Sequence, residues 1–361
     1  MVMLRRSGRF ALLALSVNFS FAAMGIAFAQ EQALDRIDDV IKQVAADEDH
    51  MPASVNAAWR DLIGEYGYDH NILYIIEKHG KLNALIESVA YTLLDMGNGH
   101  FKFPAFGLYP NETLVFDRRD DGKILNVSLN GIKFNNREVG NVDGGVFKIK
   151  PIKPISELEQ VALKASPPLE TGDFKQSDLV DVTKYADTIK LDIRYASNDN
   201  FLDTPVYASA QSFLQRPAAE ALGRIAASLK NKGYGLLVHD SYRPWYVTKI
   251  FWDATPEEGK DFVADPSQGS RHNRGAAIDL TLYDLKTGKA IEMVGTYDEM
   301  TERSYPDYPG GTSQQRWHRE LLRNTMEANG FKVYKYEWWH FDFDGWKHYR
   351  IQNDTFENLD K

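Results

Sequence analysis

Three short clusters carry residue types that do chemistry. In Ser270-Arg271-His272-Asn273-Arg274-Gly275-Ala276-Ala277-Ile278-Asp279-Leu280, an imidazole and a carboxylate stand seven residues apart. They converge if a turn folds the intervening segment, and Gly275 with the small Ala276 and Ala277 permits that turn and close packing. Ile278-Asp279-Leu280-Thr281-Leu282 reads as a strand with Asp279 on one face. Glu337-Trp338-Trp339-His340 brings a second carboxylate and imidazole, read as lying at the end of a strand. Residues three apart in extended backbone point to opposite faces, so Glu337 and His340 serve one site only if the strand ends or kinks between them. Asp240-Ser241-Tyr242-Arg243-Pro244 follows an apolar strand and presents a guanidinium, a fixed fork suited to an anionic oxygen.

Taken singly, each cluster has an ordinary explanation. A His near an Asp is commonly a hydrogen-bonded pair, an Arg before Pro a structural ion pair, and Glu337 a strand-end carboxylate paired with Lys335. Together they supply what a hydrolytic zinc site needs. Two imidazoles and a carboxylate bind zinc and leave a fourth position for water. A carboxylate outside the ligand set takes that water's proton, and a cation steadies the developing oxyanion. The chain has no cysteine. That excludes disulfide scaffolds, cysteine nucleophiles, iron–sulfur clusters and Cys-rich zinc sites, so any metal must sit on His, Asp and Glu.

The elements that position these clusters alternate between helix and strand. Pro217 opens a helix carrying Leu222, Ile225 and Leu229 and closed by Gly233, and a buried strand Tyr234–His239 follows. A second helix runs from about Ser313, a plausible cap, through Trp317, Leu321 and Leu322 to Gly330, before a strand Phe331–Tyr336. Residues 169–361 therefore read as an α+β domain. Residues 151–168, with Lys150-Pro151-Ile152-Lys153-Pro154 at one end and Ser166-Pro167-Pro168 at the other, read as a linker with a short helix near Glu157–Leu163. Residues 53–150 have another texture: short alternating runs (Ile72–Glu77, Leu82–Leu93, Glu112–Asp117, Ile124–Leu129) divided by His79-Gly80, Asp121-Gly122 and Asn130-Gly131 turns. This predicts a small all-β antiparallel meander, barrel or sandwich. His70, His79 and His100 lack metal-like spacing and read as surface or satisfied histidines.

Leu34, Ile37, Ile41 and Val44 predict a helical lead-in over 30–52. Residues 1–29 read as a cleaved export signal rather than a transmembrane anchor. Arg5, Arg6 and Arg9 precede an apolar run broken by Ser16, Asn18 and Ser20 that closes on Ala27-Phe28-Ala29. Gly8 stands where a twin-arginine signal carries a large apolar residue, so ordinary secretion is expected, to a periplasmic or extracellular location. Cleavage removes three arginines and no acid, taking the net charge from −9 to −12. That balance argues against nucleic-acid partners, which need a basic surface. With 361 residues, ordinary composition and no later apolar stretch of spanning length, the chain reads as two folded domains with no transmembrane anchor.

The combined motifs are specific. S-x-H-x-x-G-x-A-x-D is present as Ser270–Asp279, with Ala277 in the final small position, E-x-W-H as Glu337–His340 and D-x-Y-R-P as Asp240–Pro244. In order and spacing they resemble the VanX-like D-Ala-D-Ala dipeptidases, a family of zinc peptidases. Tyr195–Phe201 and the stretch from Leu321-Leu322 to Gly330-Phe331 agree, so the resemblance spans about residues 178–352. It implies an α+β zinc-peptidase fold with a central antiparallel sheet. One Zn²⁺ would be bound by His272, Asp279 and His340, Glu337 would be general base and later acid, Arg243 would stabilise the tetrahedral intermediate, and Ser270 would help hold the substrate. The implied reaction is hydrolysis of D-Ala-D-Ala or a related D,D-dipeptide in cell-wall peptide turnover. A D,D- or L,D-carboxypeptidase acting on peptidoglycan stems is the alternative. Two departures bear on substrate preference: Ser241 replaces the family's Gly, and Val294 precedes the Gly295-Thr296 pair. Leu62–Tyr66 and Leu114–Arg118 resemble the lipocalin-like β-domains appended to some bacterial hydrolases. A separate alternative is that this β-domain sets the biological role by docking on cell wall or a protein partner.

Overall fold

Strand-forming runs and tight turns dominate the first half of the structure. The computed structural model describes residues 50–68, 71–137 and 147–359. The predicted export signal, all but the last three residues of the lead-in, and His70 lie outside the described residues. Strands β1 (Gly64–Tyr68), β2 (Asn71–Lys78), β3 (Lys81–Ile86) and β4 (Val89–Thr92) form one antiparallel meander. A second comprises β5 (Leu94–Gly97), β6 (His100–Lys102), β7 (Thr113–Arg118), β8 (Ile124–Leu129) and β9 (Ile132–Asn135). A bridge between Tyr66 and Asn136 links them. They share one core that includes Tyr66, Ile75, Leu82, Phe101, Leu114, Phe116 and Val127. Asn130 and Gly131 both take positive φ, 52° and 76°, the geometry that lets a two-residue hairpin follow strand twist. The run 82–93 divides into β3 and β4 at a turn where Glu87 has φ 55°. His79 and His100 are exposed, and His100 Nδ1 meets Asn98 O at 3.0 Å.

A second, larger core begins before residue 169. Ile149 donates its N–H to Phe201 O (2.9 Å) and Ile152 to Ala254 O (3.0 Å). Helix α1 (Ile155–Ala162) buries Ile155, Leu158 and Ala162 in that core. The central sheet has the order β11 (Ile189–Leu191), β13 (Tyr234–Asp240), β14 (Ala277–Asp284), β16 (Glu337–Phe343), β15 (Phe331–Tyr334). Its pairs are antiparallel except β11 with β13, so the predicted antiparallel sheet is mixed at one edge. A small sheet pairs β10 (Leu179–Asp181) with β12 (Phe213–Gln215).

Helix α2 (Arg216–Lys230) has Pro217 in its first turn and buries Ala218, Leu222, Ile225 and Leu229 along one stripe. Helix α3 (Trp245–Ala254) follows β13 directly. Helix α4 (Ser313–Glu327) is capped by Thr312, not by the predicted Ser313: the Thr312 hydroxyl accepts from Gln315 N–H, and the Gln315 side chain accepts from Thr312 N–H. Tyr234 of β13 meets His318 of α4 with hydroxyl to Nε2 at 3.0 Å, so α4 covers the sheet face that carries Tyr234, Leu236 and Val238. A short helix, α5 (Phe356–Leu359), closes the described chain.

Candidate metal and catalytic centre

Two irregularities in the sheet assemble the centre. Asp240 pairs directly with Asp279, and Asp279 with His340, so residues from β13, β14 and β16 stand in a row on one face. A register shift between Val238 and Asp240 brings Asp240 into that row, away from the face under α4. On β16, Val333 pairs with Phe341 but Tyr334 with Glu337, leaving extra residues bulged between them. The bulge is the kink required for Glu337 and His340 to share a site, and Glu337 Oε2 lies 3.5 Å from His340 Nδ1. Glu337 opens β16 rather than ending a strand, because the predicted strand to Tyr336 turns at Lys335-Tyr336. Lys335 stacks on the Tyr336 ring at 4.3 Å, so it does not occupy Glu337 as the ordinary explanation required.

His272 arrives on a short 3-10 turn that ends at Gly275, in left-handed geometry (φ 64°). The positive φ favours glycine there, and a β-carbon would lie 2.2 Å from Leu179 Cδ2, which would have to move aside. The turn brings His272 Nε2 to 3.4 Å from Asp279 Oδ1, with His340 Nδ1 at 3.0 Å from the same oxygen. The two nitrogens are 3.1 Å apart. All three residues are buried.

These donors fit a shared cation. Asp279 Oδ1 is buried and accepts no hydrogen bond, although two imidazole nitrogens adjoin it. Bonds of about 2.0–2.1 Å to a tetrahedral Zn²⁺ put neighbouring ligands about 3.3 Å apart, close to the observed spacings. The outer ring nitrogens have acceptors: His272 Nδ1 faces Ser241 O at 2.6 Å, and His340 Nε2 faces Asp342 Oδ1 at 2.9 Å. Those bonds orient the two rings so that their inner nitrogens face the centre. Burial opposes ionisation of Asp279, yet the charges of His272 and His340 hold its carboxyl far below the ordinary range. Burial likewise disfavours the charged form of His340, but Asp279 and Asp342 overcome it and raise the imidazole to about 10. The cluster favours positive charge at its middle.

The remaining groups line one pocket with the triad. Glu337 is 19% exposed, but desolvation still dominates its environment and pushes the carboxyl up to about 7, with His340 opposing and Asp279 reinforcing the rise. Arg243 is gripped by Asp240 Oδ2 through Nη2 at 2.7 Å and Nε at 2.9 Å, and packs on Phe251 with its Cζ 4.7 Å from the ring centroid. Its Nη2 lies 3.8 Å from Asp279 Oδ2. The Ser241 hydroxyl accepts Phe213 N–H at 3.0 Å, which ties the loop that follows β13 to β12. Ser270 lines the pocket, and its hydroxyl accepts His272 N–H at 3.2 Å.

Several contributors were not singled out from sequence. Asp342 was detectable, since two residues beyond His340 on a strand is the same face. Tyr195, Tyr297 and Asp298 had no such signal. Tyr297 donates to Asp279 Oδ2 at 3.0 Å, and Tyr195 donates to Asp298 Oδ2 at 2.9 Å. Burial and the nearby charge of Asp279 push Asp298 well above the carboxylate range, with the Tyr195 hydroxyl opposing.

A family model, Peptidase_M15 (D-ala-D-ala dipeptidase), matches residues 175–360. A D-alanyl-D-alanine dipeptidase of Escherichia coli is 33% identical over 180 residues, which is 50% of this chain and 92% of that protein. One from Enterococcus faecalis is 35% identical (42% of this chain, 85% of that protein). One from Streptomyces coelicolor is 34% identical (47% and 91%). A solved LD-carboxypeptidase, LdcB, overlaps 58% of this chain and 85% of its own at 19% identity and a TM-score of 0.29, too loose a likeness to bear on fold or reaction.

Proposed function

Since the chain belongs to the Peptidase_M15 (D-ala-D-ala dipeptidase) family and is a peptidase, we propose that it hydrolyses D-Ala-D-Ala or a related D,D-dipeptide at a zinc centre held by His272, Asp279 and His340. The observation that carries the reading is the convergence of those donors on one unhydrogen-bonded carboxylate oxygen, with Glu337 beside them and outside the triad. Zinc, when bound, polarises the peptide carbonyl and acidifies water. Glu337 takes a proton from the attacking water and returns it to the departing amine. Arg243, fixed by Asp240, faces the charge developing on the carbonyl oxygen. Asp298 offers a half-buried, pocket-lining carboxylate to the substrate ammonium, whose charge would offset the cost of ionising it. Ser270 is assigned to substrate holding.

The cavity, about 120 Å³, is far below the roughly 300–1,000 Å³ typical of drug-sized ligand sites, which favours a free dipeptide over a peptidoglycan stem. We also read residues 53–150 as an appended lipocalin-like β-domain and residues 1–29 as an export signal. The corresponding role is turnover of wall-derived dipeptides outside the cytoplasm. No helix among the described residues is long and apolar enough to cross a membrane.

Metal analysis beside an assay of D-Ala-D-Ala against a stem pentapeptide tests the reading. One equivalent of zinc, loss of turnover on chelation and preference for the dipeptide are expected; turnover of the pentapeptide alone would shift the assignment to a carboxypeptidase. Arg243→Lys keeps a cation opposite buried Asp240 but loses the fork, and kcat should fall about 10²–10³-fold. Asp342→Asn should weaken metal affinity about 10–100-fold, read by competition with a chelating dye. Unchanged affinity would remove Asp342 from any role at the metal.

A further inference from the structure

We infer that the N-terminal β-strands position one wall of the catalytic pocket, with Glu77 as the positioning residue. This rests on the dipeptidase reading of the pocket but on residues remote from the chemistry. Glu77 of β2 is 1% exposed, a burial that a carboxylate tolerates only when well partnered. One partner is local, Gly80 N–H at 2.7 Å. The others lie more than 200 residues on, around the start of α4. Its Oε2 accepts Ser313 N–H at 2.7 Å and its Oε1 the Ser313 hydroxyl at 3.1 Å. The Glu77 main chain donates to Gly311 O at 3.2 Å and accepts from Arg316 Nη2 at 2.6 Å. A buried carboxylate therefore sits on the first N–H of a 15-residue helix, where the helix dipole favours negative charge. A second carboxylate, Glu65 of β1, accepts the Tyr308 hydroxyl at 2.5 Å and pairs with Arg137 at 3.1 Å.

The stretch so gripped runs into the pocket wall. Asp298, Glu299 and Met300 line the pocket, and the chain from there leads to Tyr308 and Gly311. The first turns of α4 hold this segment at both ends. Gln315 Nε2 donates to Met293 O (3.4 Å), Arg316 Nη1 to Gly310 O and Gly311 O (3.0 and 2.9 Å), and Arg319 Nη1 to Tyr308 O (2.9 Å). Between them, Glu299 accepts Thr296 N–H at 2.9 Å, pairs with Arg303 at 3.3 Å and fixes the turn that carries Asp298. The metal donors, Glu337 and Arg243 stand on other elements, and the segment touches the donor set through the Tyr297 hydroxyl on Asp279 Oδ2, not on the Oδ1 that faces both imidazoles. Loosening the clamp should therefore weaken ground-state binding through Asp298 and leave the chemical step intact.

The test uses the full-length, metal-loaded protein. Glu77→Ala should raise KM for D-Ala-D-Ala about tenfold, with kcat within about twofold and metal content unchanged. Glu77→Gln, which keeps an acceptor oxygen, should recover part of the loss. Hydrogen exchange should accelerate over 296–311 and not over β13 or β14. A lowered melting temperature with KM and the 296–311 exchange unchanged would make Glu77 a simple staple and overturn the inference. If Glu77→Ala does not fold, Tyr308→Phe removes only the hydroxyl on Glu65, and faster exchange over 296–311 is again required. Exchange also separates the two claims: a parent without dipeptide turnover but with this local response would sink the function and keep the positioning.

Discussion

Replacing Glu337 by alanine should leave about one equivalent of metal in the protein and lower kcat by about 10²–10⁴-fold or more. The expectation follows from where Glu337 stands. The donor set converges on Asp279 Oδ1, and Glu337 stands outside it, with Oε2 3.5 Å from His340 Nδ1. Removing it takes away no ligand. It does take away a carboxylate beside the cluster that reaches the pocket and that burial pushes up to about 7, the range in which a group both accepts and returns a proton. Two transfers depend on it, so the upper end of the range applies. Were Glu337 only a structural ion-pair partner, its loss would cost about 0–1 kcal/mol, at most a few-fold in any rate. Parallel metal analysis and single-turnover kinetics separate the outcomes, and near-normal turnover in the metal-loaded variant would refute the assignment.

His340→Ala should give the opposite pattern, with metal content and activity falling together. Its Nδ1 is one of the three inner donors, and its Nε2 is fixed by Asp342. Deleting the ring leaves Asp279, Glu337 and Asp342 facing one another across a buried gap, with one imidazole to hold a cation. After dialysis, the variant should carry well under a tenth of an equivalent, with turnover reduced in proportion; added zinc should restore part of both. A variant that keeps one equivalent and normal turnover would remove His340 from the ligand set. Side by side, the two substitutions separate a proton carrier from a ligand three residues away.

Much of the centre was legible because its parts are local. The Gly275 turn, the strand that presents Asp279 and the Arg243 loop each depend on a few neighbouring residues, and spacing betrays them. The conditional placement of Glu337 and His340 was also sound, because alternation in a strand forbids their meeting without a kink. What supplies the kink is a bulge against β15, and nothing in Glu337–His340 encodes a bulge that depends on a partner strand. The cap of α4 was displaced by one residue, since Thr312 and Ser313 are equally good hydroxyl caps and only Gln315 three residues beyond Thr312 chooses between them. The parallel edge pairing of β11, the Tyr195–Asp298 contact and the seat of Glu77 on α4 all join residues far apart in sequence. Pattern along one strand or helix carries no trace of them.

The row of directly opposed residues across β13, β14 and β16 has a consequence for assembly. His272 and Asp279 are neighbours in sequence and can meet early, whereas His340 joins only when β16 pairs with β14 in the right register. A slip of one residue would turn His340 to the opposite face and leave a two-donor half-site. Tight metal capture would thus report correct strand alignment, and a bound ion would stabilise only chains that have it. An ion held there would act as a proofreader of the finished sheet before it served any reaction.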